Sequence, residues 1–130
     1  MGAEILSMVY CTGLLIALVL IQSMAGVRAQ GLPLAHSRDG LPPPEGFHAR
    51  MKRVVDNHRE GLIMFAPLAL AIEWADLNTP ITALAANIFF YSRIAHAVVY
   101  ILGLPWIRPL IWTAGIAATI TLLLVLLGLI

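Results

Sequence analysis

Charge is scarce in this sequence. Charged residues make up 12% of the 130 positions and apolar residues 60%, against roughly 25% charged in an ordinary soluble domain. A net charge of +1 excludes nucleic acid as a partner, because neutralising phosphates takes clustered Lys and Arg on an exposed face. The single cysteine, Cys11, excludes an intrachain disulfide, a CxxC redox pair and a zinc cluster, so no metal site is expected. Cys11 itself reads as a small apolar packing residue. There is no amphipathic repeat, coiled-coil heptad or low-complexity tail, and the Pro42-Pro43-Pro44 triplet is the one biased segment. The length fits one domain, residues 1–130, with no room for a separate soluble unit beside several membrane spans.

What is present is a set of long apolar runs. The first covers residues 5–27, interrupted only by Ser, Thr and Gln, and about 20 residues suffice to cross the hydrocarbon core. No positive n-region precedes it, Glu4 being the nearest charge, so it is expected to be a retained span rather than a signal peptide. Residues 28–52 are rich in Gly, Pro, His and charge and read as the one substantial loop. A second span is expected over residues 56–75, with a polar entrance at Asn57, His58, Arg59 and Glu60 and with Pro67 in its interior, where a missing N–H favours a kink. Asp76 to Pro80 reads as a tight turn with Asn78 or Thr79 as N-cap. The third span is expected over residues 80–102 and the fourth over 106–130, with Trp106, Trp112 and Arg108 as interfacial anchors.

Short second and third loops force antiparallel neighbours, so the expected architecture is an all-α, up-down-up-down, integral membrane four-helix bundle. Arg28, Arg38, Arg50, Lys52, Arg53 and Arg59 flank the first loop and Arg108 the third, while the second has only Asp76. Loops one and three are therefore expected on the cytoplasmic side and both termini on the other. The compact chain without a retention signal suits a bacterial inner membrane.

Ionisable residues within spans cost about 2.5 to 3.5 kcal/mol each on insertion scales and are by default functional or pairing sites. In span two, Arg53, Asn57 and Glu60 fall at i, i+4, i+7 on one helical face. In span three, Arg93, His96 and Tyr100 fall at i, i+3, i+7, and Arg93 lies roughly 15 Å below the cytoplasmic end. An arginine at that depth needs a partner, and Glu60 and Glu73 are the available carboxylates. Arg28 and Arg108 add guanidinium groups at the same level. Such a set, rich in Arg and poor in acids, suits a ligand with more than one carboxylate.

Taken singly, each residue has an ordinary reading. Arg28, Arg53 and Arg108 read as anchors that snorkel to the headgroups. Glu60 reads as an acid near a helix start, His96 as a hydrogen-bonded interior histidine, Tyr100 as an aromatic-belt residue and Asn87 as an interhelical hydrogen-bonding residue. The joint occurrence on matching faces favours function.

The ordered motifs resemble the MAPEG family, the membrane-associated proteins of eicosanoid and glutathione metabolism. Arg53-Val-Val-Asp-Asn57-His-Arg-Glu60 looks like that family's R-x3-N-x2-E pattern, and Arg93-Ile-Ala-His96-Ala-Val-Val-Tyr100 like its R-x2-H-x3-Y signature. Gly103-Leu-Pro-Trp106-Ile-Arg108 is similar to its turn into span four. The resemblance implies a homotrimer with glutathione, as cosubstrate, bound between subunits near the cytoplasmic face. It implies Arg28, Arg53, Asn57, Glu60, Arg93, His96 and Tyr100 as glutathione-binding residues and Arg108 as the thiolate stabiliser. Glu60 would meet the α-amino group and the arginines the carboxylates. A free thiol has a pKa near 8.5 and each unit of lowering is about 1.4 kcal/mol, within reach of one guanidinium in a partly dry site.

The implied chemistry is a transferase or peroxidase in which the thiolate attacks a lipophilic electrophile or lipid hydroperoxide arriving from membrane lipid. Some members carry arginine where Asp56 stands, serine where Pro109 stands and tyrosine where Trp112 stands. The last two differences weigh against prostaglandin-isomerase chemistry, and Asp56 removes a carboxylate-binding charge. Two other classes compete. One is a non-enzymatic membrane protein of the same fold whose polar cluster holds subunits together. The other is a small multidrug transporter, which needs a carboxylate buried within span one, where this sequence has only Glu4 at the edge.

Overall fold

A computed structural model describes residues 1–31 and 40–130. Arg38 and the centre of the expected first loop lie outside the described residues. Four helices follow in order: α1 Ala3–Gln30, α2 Gly46–Trp74, α3 Pro80–Leu102 and α4 Arg108–Leu126.

Three of them, α1, α3 and α4, are each long and apolar enough to cross a membrane. The second, α2, has the length but not the composition. Its first half carries Arg50, Lys52, Arg53, Asp56, Arg59 and Glu60, and its apolar part begins only at Gly61. Counting apolar residues therefore places its start too late: residues 46–52, expected in the loop, are helical, as are Arg28 to Gln30 at the end of α1. The helix runs without interruption past Pro67. At the other boundary, Trp106 and Ile107 belong to the turn before α4 rather than to the helix.

The short connections are built as turn chemistry requires. Asp76 takes φ 54°, a conformation that Asp tolerates better than most residues. Thr79 is the N-cap of α3, its side chain accepting from the Thr82 N–H at 3.2 Å while the Thr82 hydroxyl accepts from the Thr79 N–H at 2.8 Å, with Pro80 in the first turn. Gly103 closes α3 in the left-handed region at φ 75°.

Helix α1 packs on α2 and α3, α4 packs on α3 and α2, and α2 also meets α3, whereas α1 and α4 do not touch. The inner pair is thus α2 and α3, which explains why these two helices carry the polar faces. Small residues set the close approach: Ala69 on α2, Ala85 and Ala86 on α3 and Ala118 on α4 are all buried. Phe65 and Phe89 stack at the centre, ring centroids 4.0 Å apart and planes 2° from parallel. Cys11 is free and fully buried in this core. A second cluster joins Leu18 of α1, Met51, Val54 and Val55 of α2 and Ala97 of α3.

Hydroxyls inside the spans turn back on their own helices. Thr12 donates to the Met8 carbonyl, Ser92 to Phe89, Thr113 to Pro109, Thr119 to Gly115 and Thr121 to Ala117, at 2.7 to 2.9 Å. This satisfies them without water, as lipid demands. Ile16, Leu20, Ile63, Leu70, Leu84, Leu110 and Ile120 point outward, which a hydrocarbon environment accommodates.

At the end of the bundle that holds the chain start, Glu4 is 1% exposed. Its carboxylate accepts from the Thr82 hydroxyl and from the Asn78 amide at 2.8 Å, and the same Asn78 nitrogen lies 3.1 Å from Glu73. The starts of α1 and α3 therefore share one end. Glu4 is not the edge charge that its sequence position suggested but a buried link between α1 and the turn before α3.

Candidate functional site

The polar faces of α2 and α3 meet on Arg93. This residue is 3% exposed, and its guanidinium donates to the Asn57 side-chain oxygen at 2.8 Å, with the Asn57 carbonyl at 3.5 Å. Two glycines make room for it. A Cβ on Gly61 of α2 would sit 3.0 Å from one terminal nitrogen, and a Cβ on Gly115 of α4 would sit 3.2 Å from the other and 2.9 Å from the Ser92 hydroxyl. The guanidinium is thus threaded through a slot between α2 and α4 that any side chain would narrow. The Phe89 ring lies 5.6 Å from its central carbon and adds a cation–π contact.

The expected partner of Arg93 was a carboxylate, Glu60 or Glu73. The structure gives it an amide instead. Glu73 is at the opposite end of the bundle with Asn78, and the ion pairs among the described residues are only Lys52–Asp56 at 2.9 Å and Arg59–Asp56 at 3.0 Å. Arg93 is buried, and Asn57 points inward from the same level of α2. Glu60 is exposed and lines a narrow crevice with Asn57, Gly61, Met64, Arg93, Trp112 and Ile116. Asp56, besides lacking a positive charge, neutralises part of the local one by holding both Lys52 and Arg59.

Toward the other end of α3 the second group assembles. The Arg108 guanidinium lies 3.9 Å above the Tyr100 ring, and the Tyr100 and His96 rings are 5.5 Å apart. His96 is buried and Tyr100 half-buried. Arg108 opens α4, one short turn after α3 ends, so the Gly103 turn carries it back over the residue eight positions earlier.

Asn57, Glu60, Arg93, His96, Tyr100 and Arg108 therefore lie on the α2, α3 and α4 surfaces of one bundle. Arg53 is exposed one turn before Asn57. Arg28 stands apart: it ends α1, which does not meet α4, and it borders an apolar groove with Ile21, Met24 and Phe47. Asn87, expected to hydrogen-bond between helices, is exposed with no such bond among the described residues, beside Leu84, Ile88 and Tyr91.

Two contributors, Gly61 and Gly115, carry no signal in the sequence analysis, and a third, His58, appears there only as part of a polar entrance. Gly61 and Gly115 could have been suspected as helix-interior glycines flanking the polar motifs, at a cost of about 1 kcal/mol each against alanine. His58 is buried with its Nε2 2.8 Å from the Cys11 carbonyl, tying α1 to α2; nothing in its spacing marks it.

The Nε atoms of Arg93 and Arg108 are buried and have no hydrogen-bond partner. Guanidinium groups without acid partners, one of them beside an exposed carboxylate, suit a zwitterionic ligand with several carboxylates. The sequence matches a known family over almost the whole chain: the model described as the MAPEG family covers residues 5–128. The chain belongs to the MAPEG family. It is an integral membrane four-helix bundle of that family, which includes both glutathione-dependent enzymes and non-enzymatic members. No curated protein matches it.

Proposed function

We propose that this MAPEG chain is a glutathione-dependent transferase or peroxidase acting on lipophilic substrates. The observation that carries the reading is the pair of guanidinium groups, Arg93 and Arg108, whose buried Nε atoms lack acceptors, with Glu60 exposed in the crevice that Arg93 lines. In this reading Glu60 meets the α-amino group of glutathione. Arg28, Arg53 and Arg93 meet its carboxylates, and Asn57 orients Arg93. His96 and Tyr100 support the bound tripeptide, and Arg108 lies at the thiol.

Arg108 supplies the chemistry. A cation beside the sulfur favours the thiolate, which is the nucleophile. The thiolate attacks an electrophilic carbon to form a thioether, either expelling a leaving anion or adding to an activated double bond whose carbanion takes a proton from water. Alternatively it attacks a hydroperoxide oxygen, breaking the O–O bond to release an alcohol after protonation and leave a sulfenic acid that a second glutathione reduces to the disulfide and water. The protein contributes positioning and charge stabilisation and no covalent nucleophile. Tyr100 holds Arg108 by a cation–π contact, so the cation is positioned before the ligand arrives.

Arg28 lies on a separate wall of this bundle, so it reaches the same ligand only from a neighbouring copy. That supports the homotrimer with glutathione between subunits. The positive-inside asymmetry supports a cytoplasmic position for this end, with both termini opposite, and in this reading the membrane is a bacterial inner membrane.

Isothermal titration of the purified protein with glutathione tests the reading. Binding with appearance of thiolate ultraviolet absorbance is expected, and no binding at millimolar concentration sinks it. A second reading has one observation in its favour: Arg93 is already bonded to Asn57 within the chain, as a polar cluster that only holds a bundle together would be. A scaffold of that kind shows no thiolate with or without Arg108, whereas the enzyme loses thiolate on Arg108→Ala and keeps its oligomeric state.

A further inference from the structure

Helix α3 keeps one apolar face turned away from its own bundle. Leu84, Ile88, Tyr91, Ala95, Val98 and Leu102 follow at alternate spacings of four and three, which aligns them along one side of the helix for most of its length. All are exposed except Ala95, which is half-buried, and Tyr91 is 65% exposed. In the sequence this stripe is hidden, because α3 is apolar on nearly every side; burial of the other faces picks it out. Arg93, His96 and Tyr100 lie on the opposite side of the helix, so the stripe is separate from the candidate site. Beside it a groove of about 500 Å³ opens between α3 and α4, with the small residues Ser92, Ala95 and Ala114 in its wall.

Lipid alone does not suit this face, because Asn87 stands in it. Asn87 is exposed, lines the same groove and makes no hydrogen bond among the described residues. It follows Pro80, the first residue of α3, by about 10 Å along the helix, within a hydrocarbon core about 30 Å thick. Its short side chain cannot reach the headgroups as Lys or Arg would. An amide at that depth needs a hydrogen-bonding partner on another helix. The chain's own helices offer none, so the partner helix comes from outside the chain.

We propose that two copies of this chain, in the same membrane orientation, pack α3 against α3 about a twofold axis along the membrane normal, the Asn87 amide of each donating to the Ser92 hydroxyl oxygen of the other. In a parallel helix pair the residue just before one seam position faces the residue just after another across the contact. Asn87 precedes Ile88, and Ser92 follows Tyr91. The Ser92 hydroxyl donates to the Phe89 carbonyl at 2.7 Å, which leaves its oxygen free to accept. Ala95, in the middle of the seam, lets the two backbones approach closely. A second copy fits better than an unrelated helix, because this one face supplies both the donor and the acceptor and is complementary to itself. The proposed homotrimer sets the α1–α2 side of one copy against the site of the next, so this contact joins one trimer to another and does not depend on glutathione.

The test is oxidative cross-linking of purified full-length protein in phosphatidylcholine liposomes, read as a reducible dimer band. Cys11 is fully buried, so the wild-type chain is the blank. Tyr91→Cys should give the dimer, and Val98→Cys is a second reporter if that variant does not fold. Ile120→Cys, exposed on α4 outside the groove, should not give it. Adding Asn87→Leu should lower the Tyr91→Cys yield about fivefold. Ser92→Ala should do the same, and should add nothing on top of Asn87→Leu. Yields at Tyr91→Cys and Val98→Cys no higher than at Ile120→Cys overturn the proposal, since lipid would then cover the face. So does a yield that Asn87→Leu leaves unchanged. Cross-linking in native membranes that is absent from liposomes also overturns it, and assigns the face to a different membrane protein.

Discussion

Arg93 and Asn57 form a buried cation–amide pair, 2.8 Å apart, at the meeting of α2 and α3. An amide oxygen orients a guanidinium without cancelling its charge, which a salt bridge to Glu60 would do.

Asn57→Leu should therefore destabilise the protein by about 1.5 to 3 kcal/mol, the worth of a hydrogen bond to a charged group. Adding Arg93→Met should restore most of the loss, because both polar partners are then gone. Thermal unfolding of the single and double variants in detergent measures this; strictly additive losses would show that the two residues are not coupled.

Gly61→Ala and Gly115→Ala should each lower the melting temperature, by overpacking worth about 1 to 3 kcal/mol, and should weaken glutathione binding by displacing the Arg93 guanidinium. Gly13→Ala is the contrast. A Cβ there meets nothing, so the change should be neutral or stabilising by about 0.5 to 1 kcal/mol. If all three behave alike, the slot has no special role.

Arg108 sets a pH dependence on bound glutathione. A cation at the sulfur favours the anion, so the thiol titrates below its ordinary value, near 8.5; thiolate absorbance is present above the lowered midpoint and disappears as pH falls through it. Arg108→Gln should return the midpoint to about 8.5. Arg108→Lys keeps the charge but loses the guanidinium over the Tyr100 ring, and an intermediate midpoint is expected. An unchanged titration in Arg108→Gln would remove Arg108 from the proposed chemistry.

Glu4→Ala removes one acceptor each from Thr82 and Asn78, leaving them the Thr79 carbonyl and the Glu73 carboxylate, and should cost about 1 kcal/mol of stability. Glutathione affinity should not change, since Arg93 is eleven residues along α3 from Thr82, about 16 Å. A calorimetric titration that shows weakened binding at unchanged stability would contradict this separation of ends.

Much of the fold was legible because lipid makes composition decisive. The apolar runs of α1, α3 and α4 each span a bilayer on their own, and Thr79-Pro80 and Gly103 punctuate α3 by backbone rules that need no tertiary context. The start of α2 was not legible, since its first turns are polar and become helical by packing Met51, Val54 and Val55 against Leu18 and Ala97. Spacing placed Asn57 with Glu60 and Arg93 with His96, but it could not say which residue of one face would meet which of the other.

The sequence by itself determined that this chain lives in a membrane, that its polar residues lie on two helical faces and that their order is that of the MAPEG family, because periodicity and hydropathy are properties of single helices. Only the tertiary structure decided that Arg93 takes an amide rather than an acid, that Gly61 and Gly115 open its slot, that Arg108 lies on Tyr100 and that Glu4 is buried. Those outcomes depend on how closely α2, α3 and α4 approach, and on the depth at which each side chain ends.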